Sequence, residues 1–187
     1  MLSLKNIIIT TLLILACGLS SWSIYHSQKD KPKVIVADTM PDSFMENVTA
    51  TIINKDGKPS LVIKSPKLVH YPKDDTVDIT SPEITLYRDT PEPWHIKSNH
   101  AKATDGINKI FFWSNVIINH NKDKSAPITT FTTDTLTVFP MEYIAKTDDN
   151  ITLKQPETTV HAKGMTANWS NGEIKLLSSA RGEYDPQ

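Results

Sequence analysis

Apolar and polar positions alternate through most of this chain, most densely over residues 101–119, AKATDGINKIFFWSNVIIN. The stretch predicts a short strand, a turn at Asp105-Gly106 and a long strand over 109–119, because Asp-Gly between alternating runs signals a hairpin. Side chains alternate along a strand, so Ile110, Phe112, Val116 and Ile118 share one face. Phe111, Trp113 and Ile117 share the other. Both faces are apolar, and at least one needs cover. A weaker copy lies at 167–184, ANWSNGEIKLLSSARGEY, with its turn at Asn171-Gly172. Aligned on the two turns, Lys175, Leu176 and Leu177 fall where Lys109, Ile110 and Phe111 do.

The flanking segments are short and bounded by turn signals. Residues 44–54 alternate loosely and end in a hairpin signal at Asp56-Gly57. Over 60–64, Leu61 and Ile63 share a face. Lys73-Asp74-Asp75 predicts a turn, 77–79 and 84–87 flank Pro82, and 94–97 leads into the densest stretch. Beyond it come a polar turn at 121–125 and a threonine-rich strand over 128–139, with Leu136 and Val138 on one face. Segments 142–146, 151–153 and 158–162 follow, with a turn expected at Asp148-Asp149-Asn150. Threonine, valine and isoleucine suit a pleated, half-covered surface. No window after residue 33 sustains a helical period, so the body is expected to be all-β.

The segments also repeat. Candidate units begin near Lys67, Ala101, Thr135 and Thr166, at spacings of 34, 34 and 31 residues. ITSPEITL at 79–86 and LKQPETTV at 153–160 share Pro-Glu-x-Thr. Repeats of this length without helices imply strands laid side by side, each unit covering its apolar face with the next. Such a stack ends in open edges that must be capped, charged or given to a partner.

The N-terminus differs in kind. Residues 7–25 form a run of 19 without a charge, including Ile7, Leu13 and Leu15. As a helix it would span roughly 28 Å, about one hydrocarbon core. Trp22 and Tyr25 close it, where amphipathic rings favour a membrane boundary. A single membrane-spanning anchor over 1–26 is expected, then a polar tether over 27–37 and a β-domain over 38–187. The run is long for a cleaved signal peptide. Ile14-Leu15-Ala16-Cys17 loosely resembles a lipoprotein processing site, to which Leu15 is poorly suited. Lys5 precedes the run and Lys29, Lys31 and Lys33 follow it, so charge alone does not orient the anchor.

Composition removes several function classes. The chain has 187 residues, 20 of them basic and 21 acidic, so it carries no field to hold nucleic acid. Its one cysteine, Cys17, lies in the apolar run, leaving the body without disulfides or a thiolate metal site. The histidines are scattered, and the nearest pair, His95 and His100, falls on opposite strand faces or astride a bend. No metal site is expected. Asp74-Asp75 and Asp148-Asp149 look like paired carboxylates but suit turns. No nucleophile elbow, zinc-binding helix motif or phosphate-cradling loop is present. No catalytic residue is assigned.

Several short pieces, in order and spacing over about 150 residues, resemble the LptC family of lipopolysaccharide export proteins of Gram-negative bacteria. They are the N-terminal anchor, Asp56-Gly57, Pro82, WHIKSNHAK at 94–102, Thr132-Thr133-Asp134, Gly164-Met165 and the ending Arg181-Gly182-Glu183-Tyr184. At 94–102 the family tends toward W-x-[VI]-x-[AS]-x-x-A. In the penultimate unit, where several members carry glycine, this chain reads Lys154-Gln155-Pro156.

The resemblance implies a single-pass inner-membrane protein whose periplasmic domain is a twisted antiparallel β-jellyroll, OstA/LptA-like and open along one side. It implies lipopolysaccharide received from the transporter LptB/LptF/LptG and passed to periplasmic LptA, with no cofactor and no ATP hydrolysis by this chain. Acyl chains leaving a bilayer need apolar cover, at about 0.8 kcal/mol per buried methylene. The alternating positions supply candidates for that groove: Leu61, Ile63, Ile79, Ile84, Leu86, Ile110, Phe112, Val116, Ile118, Leu136, Val138, Ile151, Leu153, Ile174 and Leu176. Main-chain strand addition at both ends would join the partners. Gly57 and the strands near 44–64 would face the transporter, and Gly164, Met165 and Tyr184 would face LptA. A structural adaptor with a filled core, or an anchored enzyme acting on envelope glycans, would use the same segments differently.

Overall fold

Each strand pairs with its neighbour in sequence, and each long pass of chain bends near its middle. A computed structural model of the chain describes residues 22, 40–87, 92–120 and 128–185. The chain divides into units Met1–Asp38 and Thr39–Gln187, and every described strand belongs to the second. The anchor residues Ile7, Leu13, Leu15 and Tyr25 and the turn expected at 121–125 lie outside the described residues; Trp22 is helical and exposed. No helix among the described residues is long and apolar enough to cross a membrane.

The strands are β1 (Ser43–Ile53), β2 (Pro59–Tyr71), β3 (Thr76–Thr80), β4 (Glu83–Leu86), β5 (Trp94–Lys97) and β6 (His100–Thr104). They continue with β7 (Lys109–His120), β8 (Thr129–Phe139), β9 (Ile144–Gln155), β10 (Thr158–Asn168) and β11 (Glu173–Tyr184). One 3-10 turn, Pro140–Glu142, joins β8 to β9. All pairings are antiparallel. β3 and β4 both run against β2, and β5 and β6 both run against β7, so each of these pairs is one broken pass. The eleven strands thus make nine passes of a single meander.

The bends fall on one line across the sheet. Asn47 in β1 faces the Ser65-Pro66 step of β2, where proline cannot donate to the ladder. Ser81-Pro82 separates β3 from β4, Ser98-Asn99 separates β5 from β6, and Ser114-Asn115 interrupts β7. The line continues through irregularities between Thr133 and Thr137, at Gly164, and at Ser179. Asn47, Ser81, Ser114, Asn115, Gly164 and Ser179 all have positive φ, a conformation most side chains avoid. The 34-residue spacing now has a cause. Lys67, Ala101, Thr135 and Thr166 each lie just past a bend, on alternate passes running the same way.

A bend leaves ladder groups unpaired, and small hydroxyl side chains meet them. Among the described residues five polar side chains are buried, and Ser65, Ser98, Thr133 and Thr147 lie at bends. The Ser65 hydroxyl shares its proton between the carbonyls of Thr80 (2.6 Å) and Lys67 (2.8 Å) and accepts from the Lys67 amide (3.1 Å). Ser98 donates to the His100 carbonyl, and the Asn99 amide donates to the Ser114 carbonyl. Bending brings the two halves of the sheet's inner face together, and one apolar core fills the angle.

Several expectations change. Asp148-Asp149-Asn150 is no turn: β9 runs through it, and Thr135 donates to the Asp149 carboxylate while the Thr147 hydroxyl accepts from its amide. Carboxylate chemistry suited to a turn here serves a bend. The two Pro-Glu-x-Thr pieces are not equivalent either, since Pro82 lies at a mid-pass bend and Pro156 in the tight turn between β9 and β10. In β7 the second apolar face stays at the surface. Phe111 is 38% exposed and stacks on Trp113, which stacks on His100.

Ser65→Ala removes three polar contacts from a buried bend and is expected to cost about 1–3 kcal/mol. Ser170→Ala, which removes an exposed hydroxyl in the turn between β10 and β11, is expected to stay within about 0.5 kcal/mol. Urea unfolding of both variants measures the difference, and equal midpoints would contradict the account of the bends.

Candidate functional site: the inner face and the free edges

The inner face is built from registered rows. One runs Ala50, Ile63, Ile84, Ile96, Ile118, Phe131, Leu153, Val160, Gly182, each the direct cross-strand partner of the next from β1 to β11. On the far side of the bends, Val77, Ala103, Ile110, Val138, Ala145, Ala167 and Ile174 form another. Direct cross-strand apolar pairs are the unit of sheet stability, at about 0.2–1 kcal/mol each.

Exposure along the first row varies steeply. Ile84, Ile96, Ile118 and Phe131 are 1–2% exposed, whereas Ala50, Leu153 and Val160 are half-buried and Gly182 is exposed. The core is sealed in the middle of the sheet and opens toward both terminal strands. Trp94 covers one end of the middle, stacked on His120 at 4.2 Å and beside Phe131. Trp169 covers another part, edge-on to Tyr143 and donating its amide to the Tyr143 carbonyl.

The structure gathers the fifteen expected groove positions on this inner face but not in one state. Leu61, Ile63, Ile79, Ile84, Leu86, Ile110, Phe112, Val116, Ile118, Leu136, Val138 and Ile151 are buried in the core. Their neighbours are other protein side chains. Leu153, Ile174 and Leu176 pack against the core but remain partly open, as do Val48, Ala50 and Ile52 on β1. Sequence reasoning passed over Val160, Trp94, Ile96, Phe131 and the inward alanines Ala101, Ala103, Ala145, Ala162 and Ala167. Alternation through Trp94-His95-Ile96-Lys97 was the available signal. Alanine carries little signal of its own.

Among the described residues, two strands have a neighbour on one side only: β1 and β11. Both are long, and both are exposed along most of their length. Gly57 sits in the turn after β1, where the Asn54 side chain accepts from the amides of Asp56 and Lys58. Tyr184 lies on the outermost strand, exposed. Gly164 and Met165 do not: they belong to β10, which is paired to β9 and to β11, and Met165 is 1% exposed. Their place one strand inward follows from the last hairpin, whose returning strand takes the edge.

Charged chemistry is sparse and peripheral. Among the described residues no three His, Cys, Asp or Glu side chains are grouped to hold a metal. His95 lies on β5 and His100 on β6, astride a bend. Glu83 pairs with Lys97 at 2.7 Å on the surface, and that lysine holds the carboxyl below its usual range. His70 in β2 joins two carboxylates, with Nδ1 2.6 Å from Asp42 and Nε2 3.2 Å from Asp75. This pins the entry to β1 onto the turn between β2 and β3. Asp42 first, then Asp75, raises the His70 pKa above its ordinary 6.5, and His70 lowers that of Asp42.

The bent antiparallel sheet with one apolar face and exposed outer strands is a fold that this chain shares with a solved periplasmic protein. The chain is similar in fold to LptH, the LptA-homologous periplasmic component of the lipopolysaccharide transport device of Pseudomonas aeruginosa. The match has a TM-score of 0.54 at 8% identity and covers 67% of this chain and 95% of that one. No curated protein matches the sequence. Residues 10–185 match the family described as "Lipopolysaccharide-assembly, LptC-related", and the chain belongs to that family. Its role therefore lies in the lipopolysaccharide transport bridge of the envelope.

The His70 clamp has a defined pH window. His70 has a raised pKa, so its contribution is complete below its ordinary 6.5 and lost as pH rises through the raised value. Asp42, lowered from 3.8, contributes above that value and fails as pH falls through the lowered one. An NMR titration is expected to find His70 titrating above an exposed histidine, and Asp42→Asn to bring it down. An unmoved His70 in that variant would reject the clamp.

Proposed function

We propose that this protein is a passive, sided conduit for lipopolysaccharide, held at the inner membrane with its β-domain in the periplasm. It receives the lipid from the transporter LptB/LptF/LptG at the β1 end and delivers it to LptA at the β11 end. It catalyses no reaction, and the driving force comes from the transporter. The gradient of cover along the inner-face row carries this reading. A domain evolved only to dock proteins has no need to run registered apolar side chains out of a sealed core toward an unpaired edge.

The sealed middle changes where lipid is held. Phe112, Leu136 and their neighbours keep the two halves of the sheet together and leave no room for acyl chains among themselves. Acyl chains lie instead against Leu153, Val160, Ile174 and Leu176 near the outgoing edge, and against Val48, Ala50 and Ile52 near the incoming one. The sugar head stays in water at the open side. At each edge the partner adds its own strand, so that apolar rows continue from one protein into the next.

Photo-crosslinking residues placed at Leu153, Val160 and Leu176 are expected to capture lipopolysaccharide in cells, and those at the outward positions Thr132 and Lys175 to capture far less. Val160→Asp is expected to lower lipopolysaccharide binding about tenfold while lowering the melting temperature by only about 2–4 °C, since it replaces aliphatic cover with a charge and gives up one cross-strand apolar pair. Equal capture on the two faces would leave the adaptor reading in possession.

A further inference from the structure

We infer that Gly164 and Leu177 form a key that sets the bend of the free edge strand β11, and so positions that edge for the incoming partner strand. The inference rests on the conduit reading for its partner and on the geometry of β10 and β11 for everything else.

Gly164 has φ +77, a conformation that side-chain-bearing residues rarely adopt. It lies in the break between Lys163 and Met165, opposite the bend of β9. A Cβ built there would meet Leu177 Cδ1 at 2.9 Å, Cβ at 3.2 Å and Cγ at 3.3 Å. Leu177 therefore occupies the notch that the missing side chain leaves. It is 55% exposed, on the opposite face of β11 from the half-buried Ile174 and Leu176. An exposed leucine gains little from burial here, but it gains contact with a backbone that only glycine leaves open.

Two neighbouring features fix the same point. The Ser178 hydroxyl donates to the Lys163 carbonyl at 3.1 Å, and Ser179 has φ +53. Between His161 and Lys163 the register shifts against β11, from Arg181 to Ser178. The outermost strand is thus bent by side-chain contacts with β10, its one neighbour among the described residues. A partner that continues a bent sheet must meet an edge bent at the same level. Gly164 acts as a positioning residue, since it lies one strand in from the interface and touches no partner.

The test compares Gly164→Ala, Leu177→Ala and the double variant in the full-length protein. Hydrogen exchange is read on β11 and on β7, and binding is read with purified LptA. Gly164→Ala is expected to speed exchange in β11 about tenfold, leave β7 amides unchanged, and weaken LptA binding about tenfold. The double variant, which removes the Leu177 Cγ and Cδ atoms from the clash but keeps alanine at φ +77, is expected to recover part of the loss seen in Gly164→Ala. Unchanged β11 exchange in Gly164→Ala overturns the key, as does a double variant no better than Gly164→Ala. Failure of the wild-type protein to bind LptA overturns the conduit reading instead, and the exchange comparison still decides the key.

Discussion

Everything in this domain depends on nine passes of chain bending at one level. A long antiparallel sheet with an apolar face needs cover for that face, and here the sheet supplies its own by folding across its strands. The conformational cost is concentrated in a narrow line of serine, asparagine, proline and glycine. Positive φ at a residue with a side chain costs on the order of 1–3 kcal/mol, and the bend line holds five such residues besides Gly164. The core that closes in the angle offsets that cost: Ile110, Phe112 and Leu136 reach zero exposure there. Breaking the line at one pass would oblige its neighbours to bend elsewhere, because each pass is laddered to the next.

Much of the strand content was legible because the apolar alternation is strong and Asp56-Gly57, Asp105-Gly106 and Asn171-Gly172 mark their hairpins. The bends were harder to read. In β8 the inward positions run Phe131, Thr133 and then Leu136, Val138, changing from odd to even across Asp134. β10 does the same between Ala162 and Met165. A phase change looks like weak alternation: the span of β8 still read as one strand over 128–139, but β9 read as two short pieces at 142–146 and 151–153, with Asp148-Asp149-Asn150 as a turn between them. The inner face was legible from period alone. Its division into sealed and open parts was not, since that depends on how many passes lie over each row, a property of the assembled sheet.

That division gives the family assignment its physical content. A uniform trough would have left its lining wet in the absence of lipid. Along its first row this inner face is closed from β2 to β8 and opens toward β1 and β11, where Ala50, Leu153 and Val160 retain partial exposure. On the proposed reading, stability and lipid contact would fall on different stretches of the same rows. Mutations in the middle are expected to act through folding, those at the ends through binding. The fold similarity to LptH at 8% identity fits this division, since backbone bends and an inward row can persist while particular side chains change.

The meander has one more consequence, for how the chain reaches this state. Every ladder joins passes adjacent in sequence, so no pairing waits for a distant segment to arrive. Loop closure is cheap at each step, and assembly can proceed hairpin by hairpin from wherever it nucleates. Two-layer β-proteins with crossed connections lack that route and fold slowly. A strand donated by another molecule then docks by the same step as the next hairpin of the chain itself. Completing the domain and adding a foreign strand to its edge would then differ only in whether the next strand is covalently attached.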